Sequence, residues 1–194
     1  MMLLFSLLLE LSAAAVFLIP AYILLNKAYF HNTGRSTLCC VFSLYLAAVY
    51  NLVGMPTVNY VRFEINLNLI PFAGMAADLK NTILNVLLFI PLGFMLPVLW
   101  EKYRSPKKTV LFGLGVSLAI ELLQMLTFRA TDVNDLITNT MGAFLGYGLF
   151  CSARRMISAG RESAMEQYLV FGITFAVMFF LHPFLSGFLW SVVF

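Results

Sequence analysis

Residues 121–146 read ELLQMLTFRATDVNDLITNTMGAFLG, and the spacing of the polar residues in this stretch sets the architecture around it. Glu121 and Gln124 stand about one helical turn apart, near the end of an apolar run that starts at Val110, so both belong to one helix face. A short polar break containing Arg129 follows. Beyond it, Asp132, Asp135, Asn139, Gly142 and Gly146 recur at three- and four-residue steps. At ~100° per residue these steps gather the five positions within an arc of roughly 80°. The stretch therefore predicts the end of one helix, a turn, and a second helix with a polar and small face. Asp132 and Asp135 also fit a helix start, an N-cap carboxylate followed by a second acid near the positive end of the dipole. Capping accounts for Asp132 and in part for Asp135, but it leaves Glu121, Gln124 and Asn139 needing another reason.

The surrounding composition places these helices in a membrane. Of 194 residues, 61% are hydrophobic and 11% charged, with a mean hydropathy of +0.91, whereas a soluble domain carries about 25% charged residues. The expected fold is an all-α integral membrane protein, a bundle of about six transmembrane helices with an extended extracytoplasmic segment between helices 2 and 3. A net charge of +3 with basic residues scattered over short loops argues against nucleic acid as a partner. Three cysteines, Cys39, Cys40 and Cys151, do not make a disulfide framework and are read as small buried hydrophobes at helix ends.

Taken in order, the first span is Leu3 to Leu25, with Pro20 bending it and Glu10 read as a carboxylate close enough to the surface to stay hydrated. The second runs from about Ser36 to Gly54. Arg62 to Leu69 then alternates polar and apolar with a period of two, which predicts extended backbone. Exposed extended backbone cannot cross hydrocarbon, so this segment should lie at the membrane surface or fold against the helices. A third span, Asn81 to Trp100, carries Asn81 and Asn85 on one face and is bent by Pro91 and Pro97. The fourth and fifth, Thr109 to Leu126 and Asp135 to Ser152, hold the polar stretch. The sixth, Tyr168 to Phe194, has His182-Pro183 in its middle, read as a kink with a locally bonded imidazole. This divides the chain into residues 1–55 (two helices), 56–152 (a core of three helices with the polar cluster) and 153–194 (a basic loop and the last helix).

Loops after the odd-numbered spans hold Lys27, Arg35, Lys102, Arg104, Lys107, Lys108, Arg154, Arg155 and Arg161. The alternate loops hold Arg62, Lys80 and Arg129. The positive-inside rule therefore predicts both termini and the polar cluster on the extracytoplasmic side.

Several blocks carry a family resemblance: Asn66-Leu67-Asn68-Leu69-Ile70-Pro71-Phe72, Asn85 through Phe94 (NVLLFIPLGF), Glu121-x-x-Gln124, Arg129-x-x-Asp132-x-x-Asp135, Asn139, and Gly142-x-x-x-Gly146. In this order and spacing, over about Val61 to Ser152, the chain resembles the VanZ-like family of small bacterial polytopic membrane proteins. That family takes its name from a member conferring resistance to teicoplanin, a lipid-tailed glycopeptide antibiotic. The resemblance implies a bacterial cell-envelope setting, with membrane lipid, a cell-wall precursor or the antibiotic as partners, but no settled activity and no named cofactor.

Three functions and one structural role compete for the polar residues. In the first function an outer pocket binds a surface component, with Arg129 taking phosphate or carboxylate and Glu121, Asp132 and Asp135 taking an amine or sugar hydroxyls. In the second, a membrane enzyme acts on a lipid-linked substrate with the carboxylates as general base or Mg²⁺ ligands. The third, a transporter, lacks a convincing internal repeat. In the structural role, Glu121, Gln124, Arg129, Asp132, Asp135, Asn139 and Asn85 form an interhelical network that locks the bundle. Gly142 and Gly146 would then permit close approach, within the protomer or between copies.

Overall fold

A computed structural model describes residues 2–63, 66–72, 78–127, 131–157 and 163–193. They form two compact units, Met1–Val61 with Ala164–Phe194, and Arg62–Ser163.

In the first unit, α1 (Met2–Leu25) runs into a π-helical turn, Asn26–Phe30. His31 then adopts a left-handed conformation (φ 49°), and Asn32 caps α2 (Thr33–Leu52) by accepting the Arg35 N–H at 3.0 Å. Gly54 (φ 66°) ends α2. Its N–H reaches the Asn51 carbonyl at 3.2 Å while Met55 N–H reaches that of Tyr50 at 3.1 Å, the paired bonds of a Schellman cap. The last rod is α6 (Ala164–Ala176), a π turn (Val177–Leu181) and α7 (His182–Val193). Pro183 has no N–H to offer the Phe179 carbonyl four residues back, and Val58 N–H bonds that carbonyl instead at 3.0 Å. Ala14, Leu18, Ala47, Tyr50, Val177 and Met178 pack together as the core.

In the second unit, α3 (Leu79–Leu99) begins at Asp78, whose carboxylate accepts both the backbone N–H and the side-chain amide of Asn81. Next come α4 (Pro106–Gln124) and α5 (Val133–Ala153). Two short strands, β1 (Leu67–Asn68) and β2 (Thr131–Asp132), pair in parallel with Leu67 opposite Thr131 and Asn68 opposite Asp132. A further parallel bridge joins Arg62 to Thr127. The alternating segment thus folds against the α4–α5 connection, with Arg62 N–H donating to the Leu126 carbonyl at 2.9 Å and the Asn66 carbonyl accepting the Thr131 N–H at 2.8 Å; Glu64 and Ile65 lie outside the described residues. Gly142 and Gly146 face α3 so closely that a Cβ on either would collide with a backbone carbonyl, of Val86 or Ile90 respectively. Gly93 lies as tightly against Ala143. Gly142 and Gly146 therefore serve packing within the protomer.

Six rods, counting α6 to α7 as one, account for the helical architecture of the described residues. Four are long and apolar enough to cross a membrane: Phe5–Phe30, Thr33–Leu52, Leu79–Leu99 and Ala164–Val192. Helices α4 and α5 bury polar side chains inside the unit, Ser117, Glu121 and Gln124 on one and Asn134, Thr138 and Asn139 on the other. Their outer surfaces still carry Leu111, Leu118, Leu122, Phe144 and Leu149.

Candidate functional site

The polar residues of α4 and α5 meet at the strand end of the second unit. Glu121 lies in the last turn of α4 with only 3% of its surface exposed. Its Oε2 accepts the Asp132 backbone N–H at 2.9 Å, and its carbonyl accepts the Thr131 hydroxyl at 3.0 Å. Asp132 is the N-cap of α5: Oδ1 accepts the Asn134 N–H at 2.8 Å, and Oδ2 accepts the Asn68 amide at 3.0 Å across the strand pair. Asp135 lies one turn into α5, where Oδ1 accepts the Asn85 amide of α3 at 2.7 Å. Glu121 is near enough to both aspartates to feel their charge, so three carboxylates are gathered where α4 ends and α5 begins.

Deeper in the unit, Asn139 donates to Ser117 Oγ at 2.9 Å, and its buried Oδ1 has no hydrogen-bond partner among the described residues. Gln124 is also buried, one turn beyond Glu121. Arg129, the expected anion-binding residue, lies outside the described residues. Asn85 and Asn81 part company: Asn85 crosses to α5, whereas Asn81 is exposed and bonds its own helix cap.

Three neighbours were not among the sequence candidates. Asn68 and Asn134 hold the strand pair and the α5 start, with Asn134 Oδ1 accepting the N–H of Phe72, itself left-handed at φ 64°, at 2.6 Å. Ser117 is one turn before Glu121 on the same buried face of α4. The signal for Asn68 was the period-two alternation, which puts it on the same strand face as Asn66. Among the described residues no three His, Cys, Asp or Glu side chains are grouped to hold a metal ion. The chemistry on offer is acceptor-rich, suited to binding ammonium groups or hydroxyls.

One expectation in the first unit needs correction: His182 is not bonded locally but across to α1. Glu10 keeps 21% of its side chain exposed and also gains partners on α7. Glu10 Oε1 accepts from Trp190 Nε1 and Oε2 from Ser186 Oγ, both at 2.7 Å, with His182 Nε2 2.9 Å from Oε2. The partners stand at i, i+4 and i+8 on α7 and reach α1 across the chain, a pairing that local spacing does not reveal. The same unit buries an ion pair between Arg35 and Glu166, with Cys39 Sγ 3.8 Å from Glu166 Oε1.

Apolar helices, buried charges answered by donors on other helices, and backbone pairing kept to the helix ends define a polytopic helical membrane protein. The VanZ/LLP1 family model matches residues 36–157. Protein VanZ of Enterococcus faecium is 32% identical over 131 residues, 66% of this chain and 76% of that relative. The chain belongs to the VanZ/LLP1 family. No solved structure matches it. The matched region begins in the first turn of α2, so it reaches further towards the N-terminus than the motif blocks and takes in α2 together with α3, α4 and α5.

Proposed function

We propose that this VanZ-like membrane protein acts at the extracytoplasmic surface of the bacterial membrane. There the carboxylates of Glu121, Asp132 and Asp135 bind a surface component bearing amine or hydroxyl groups and so lower susceptibility to teicoplanin. A lipid headgroup, a cell-wall precursor and the lipoglycopeptide itself all present such groups. The observation that carries this reading is the position of Glu121, a nearly fully buried carboxylate set beside two further carboxylates and anchored by a neutral backbone N–H. Charge at membrane depth is costly, and like charges gathered together add to the cost, which an incoming cation or a set of hydroxyl donors would offset. Support for the outward orientation comes from the basic loops. No described residue favours the enzyme or transporter alternatives.

The test is the teicoplanin inhibitory concentration, with vancomycin alongside, in a Gram-positive host expressing wild type, Glu121→Gln or Asp135→Asn at matched membrane levels. Both variants can keep an acceptor oxygen for the Asp132 N–H or the Asn85 amide while removing the charge and turning the second oxygen into an NH₂ donor. Protection by wild type and its loss in the variants is the expected outcome. Full protection by the neutral variants would reduce the cluster to helix packing.

A further inference from the structure

The first unit contains a groove between α1 and α2 that the acidic cluster does not involve. Its volume is about 490 Å³, within the size range of small-molecule sites. Ile19, Ile23, Val41 and Leu44 form its apolar wall. Ile23 and Val41 are half exposed, at 56% and 50%. The deeper wall is Tyr22 and Ser36, whose polar atoms are already engaged. The Tyr22 hydroxyl bonds Ser43 Oγ at 2.6 Å, and Ser36 Oγ donates to the Tyr22 carbonyl at 3.0 Å. What the interior offers a guest is therefore hydrocarbon.

The end at the α1–α2 turn is different. Lys27, Asn26, Thr33 and Thr37 line it, and no Asp or Glu does. Lys27 is exposed and makes no ion pair among the described residues. Asn26 Oδ1 accepts the Asn32 N–H at 3.0 Å, which leaves its NH₂ as a donor. From Lys27 to Ile19 the groove follows eight residues of α1 and its π turn, and from Thr33 to Leu44 eleven of α2, or ~12 to ~16 Å at 1.5 Å per residue. One leaflet of hydrocarbon is ~15 Å thick.

We infer that this groove seats one anionic phospholipid, its phosphate at Lys27 and the neighbouring amide and hydroxyl donors, with an acyl chain lying against Ile19, Ile23, Val41 and Leu44. The depth of one leaflet fits a lipid tail, whereas a partner transmembrane helix would need a contact running the full ~30 Å. A cation at the open end selects an anionic headgroup. In the orientation expected from the basic loops, that end faces the cytoplasmic leaflet, where anionic lipid is found. The α1 wall lies outside the family-matched region, so lipid selection here would be a property of this chain's first helix.

Native mass spectrometry of the full chain tests this, after incubation in detergent with phosphatidylglycerol or phosphatidylcholine of identical acyl chains. Wild type is expected to retain one phosphatidylglycerol with about fivefold preference, the effect of one basic residue at an anionic surface. Lys27→Gln, on an exposed side chain that leaves the fold intact, should abolish that preference. Val41→Trp should lower retention of both lipids by filling the groove. Equal retention of the two lipids by wild type, or an unchanged preference in Lys27→Gln, would overturn the assignment, and the lysine variant decides it alone if Val41→Trp does not fold. A groove made for a protein partner would leave lipid retention indifferent to both substitutions, which also overturns it.

Discussion

In the unit built from α1, α2, α6 and α7, Glu166 meets the Arg35 guanidinium and Glu10 meets His182, Ser186 and Trp190. In the α3–α5 unit, Glu121 and Asp132 are held by backbone N–H groups and the Asn68 amide, and Asp135 accepts from Asn85. Both units hold carboxylates away from full exposure, but one sets an arginine and side-chain donors against them while the other brings three together around amides. A charge answered inside the fold serves the fold. Charges brought together and anchored by neutral groups retain a capacity for something arriving from outside, and for that reason the second unit carries the proposed site.

Breaking the answered pair should have the largest effect on stability. Arg35→Ala strands the Glu166 carboxylate, which is wholly buried, and should destabilise the protein by about 3–5 kcal/mol. Thermal unfolding in detergent would show it as a lowered midpoint and a poor folded yield. Pairing Arg35→Leu with Glu166→Leu should recover much of the loss, and failure to do so would contradict the assignment of this pair to scaffold. Next is Gly146→Ala, whose new Cβ meets the Ile90 carbonyl and must push α3 and α5 apart. A cost of about 1–3 kcal/mol is expected, read by the same unfolding measurement, with no change in oligomeric state by light scattering. The smallest shift should come from Glu121→Gln, under about 1 kcal/mol because the Asp132 N–H keeps its acceptor. A loss as large as that of Arg35→Ala would erase the contrast between the units.

Much of the second unit was legible from periodicity. Steps of three and four residues placed Asp132, Asp135, Asn139, Gly142 and Gly146 on one face, and Asp132 does cap α5. The alternation after Arg62 announced extended backbone, and β1 follows. Its partner, β2, stands 64 residues away in a two-residue strand too short to show any period. The first unit was less readable because its polar contacts are distant in sequence. Arg35 and Glu166 are separated by 131 residues and Glu10 and Ser186 by 176. Glu10 among leucines looks the same whether water or a distant helix receives it. Arg129 was singled out by spacing, yet it lies outside the described residues, so its part in the site rests on the motif.

The π turn at Val177–Leu181 has a geometric consequence for the last rod. On an unbroken wheel at ~100° per residue, Glu166, Val170 and Thr174 centre ~160° away from His182, Ser186 and Trp190. Such a helix would turn one set towards lipid whenever it buried the other. A π turn holds about one residue more than the α turn it replaces, and so takes up ~100° of that offset. Glu166, Val170, Thr174, His182 and Ser186 are accordingly all buried. The turn acts as a phase correction between two half-helices: deleting one residue within 177–181 should leave a plain α turn that keeps the three donors on Glu10, whereas inserting one there would swing them off by ~100°.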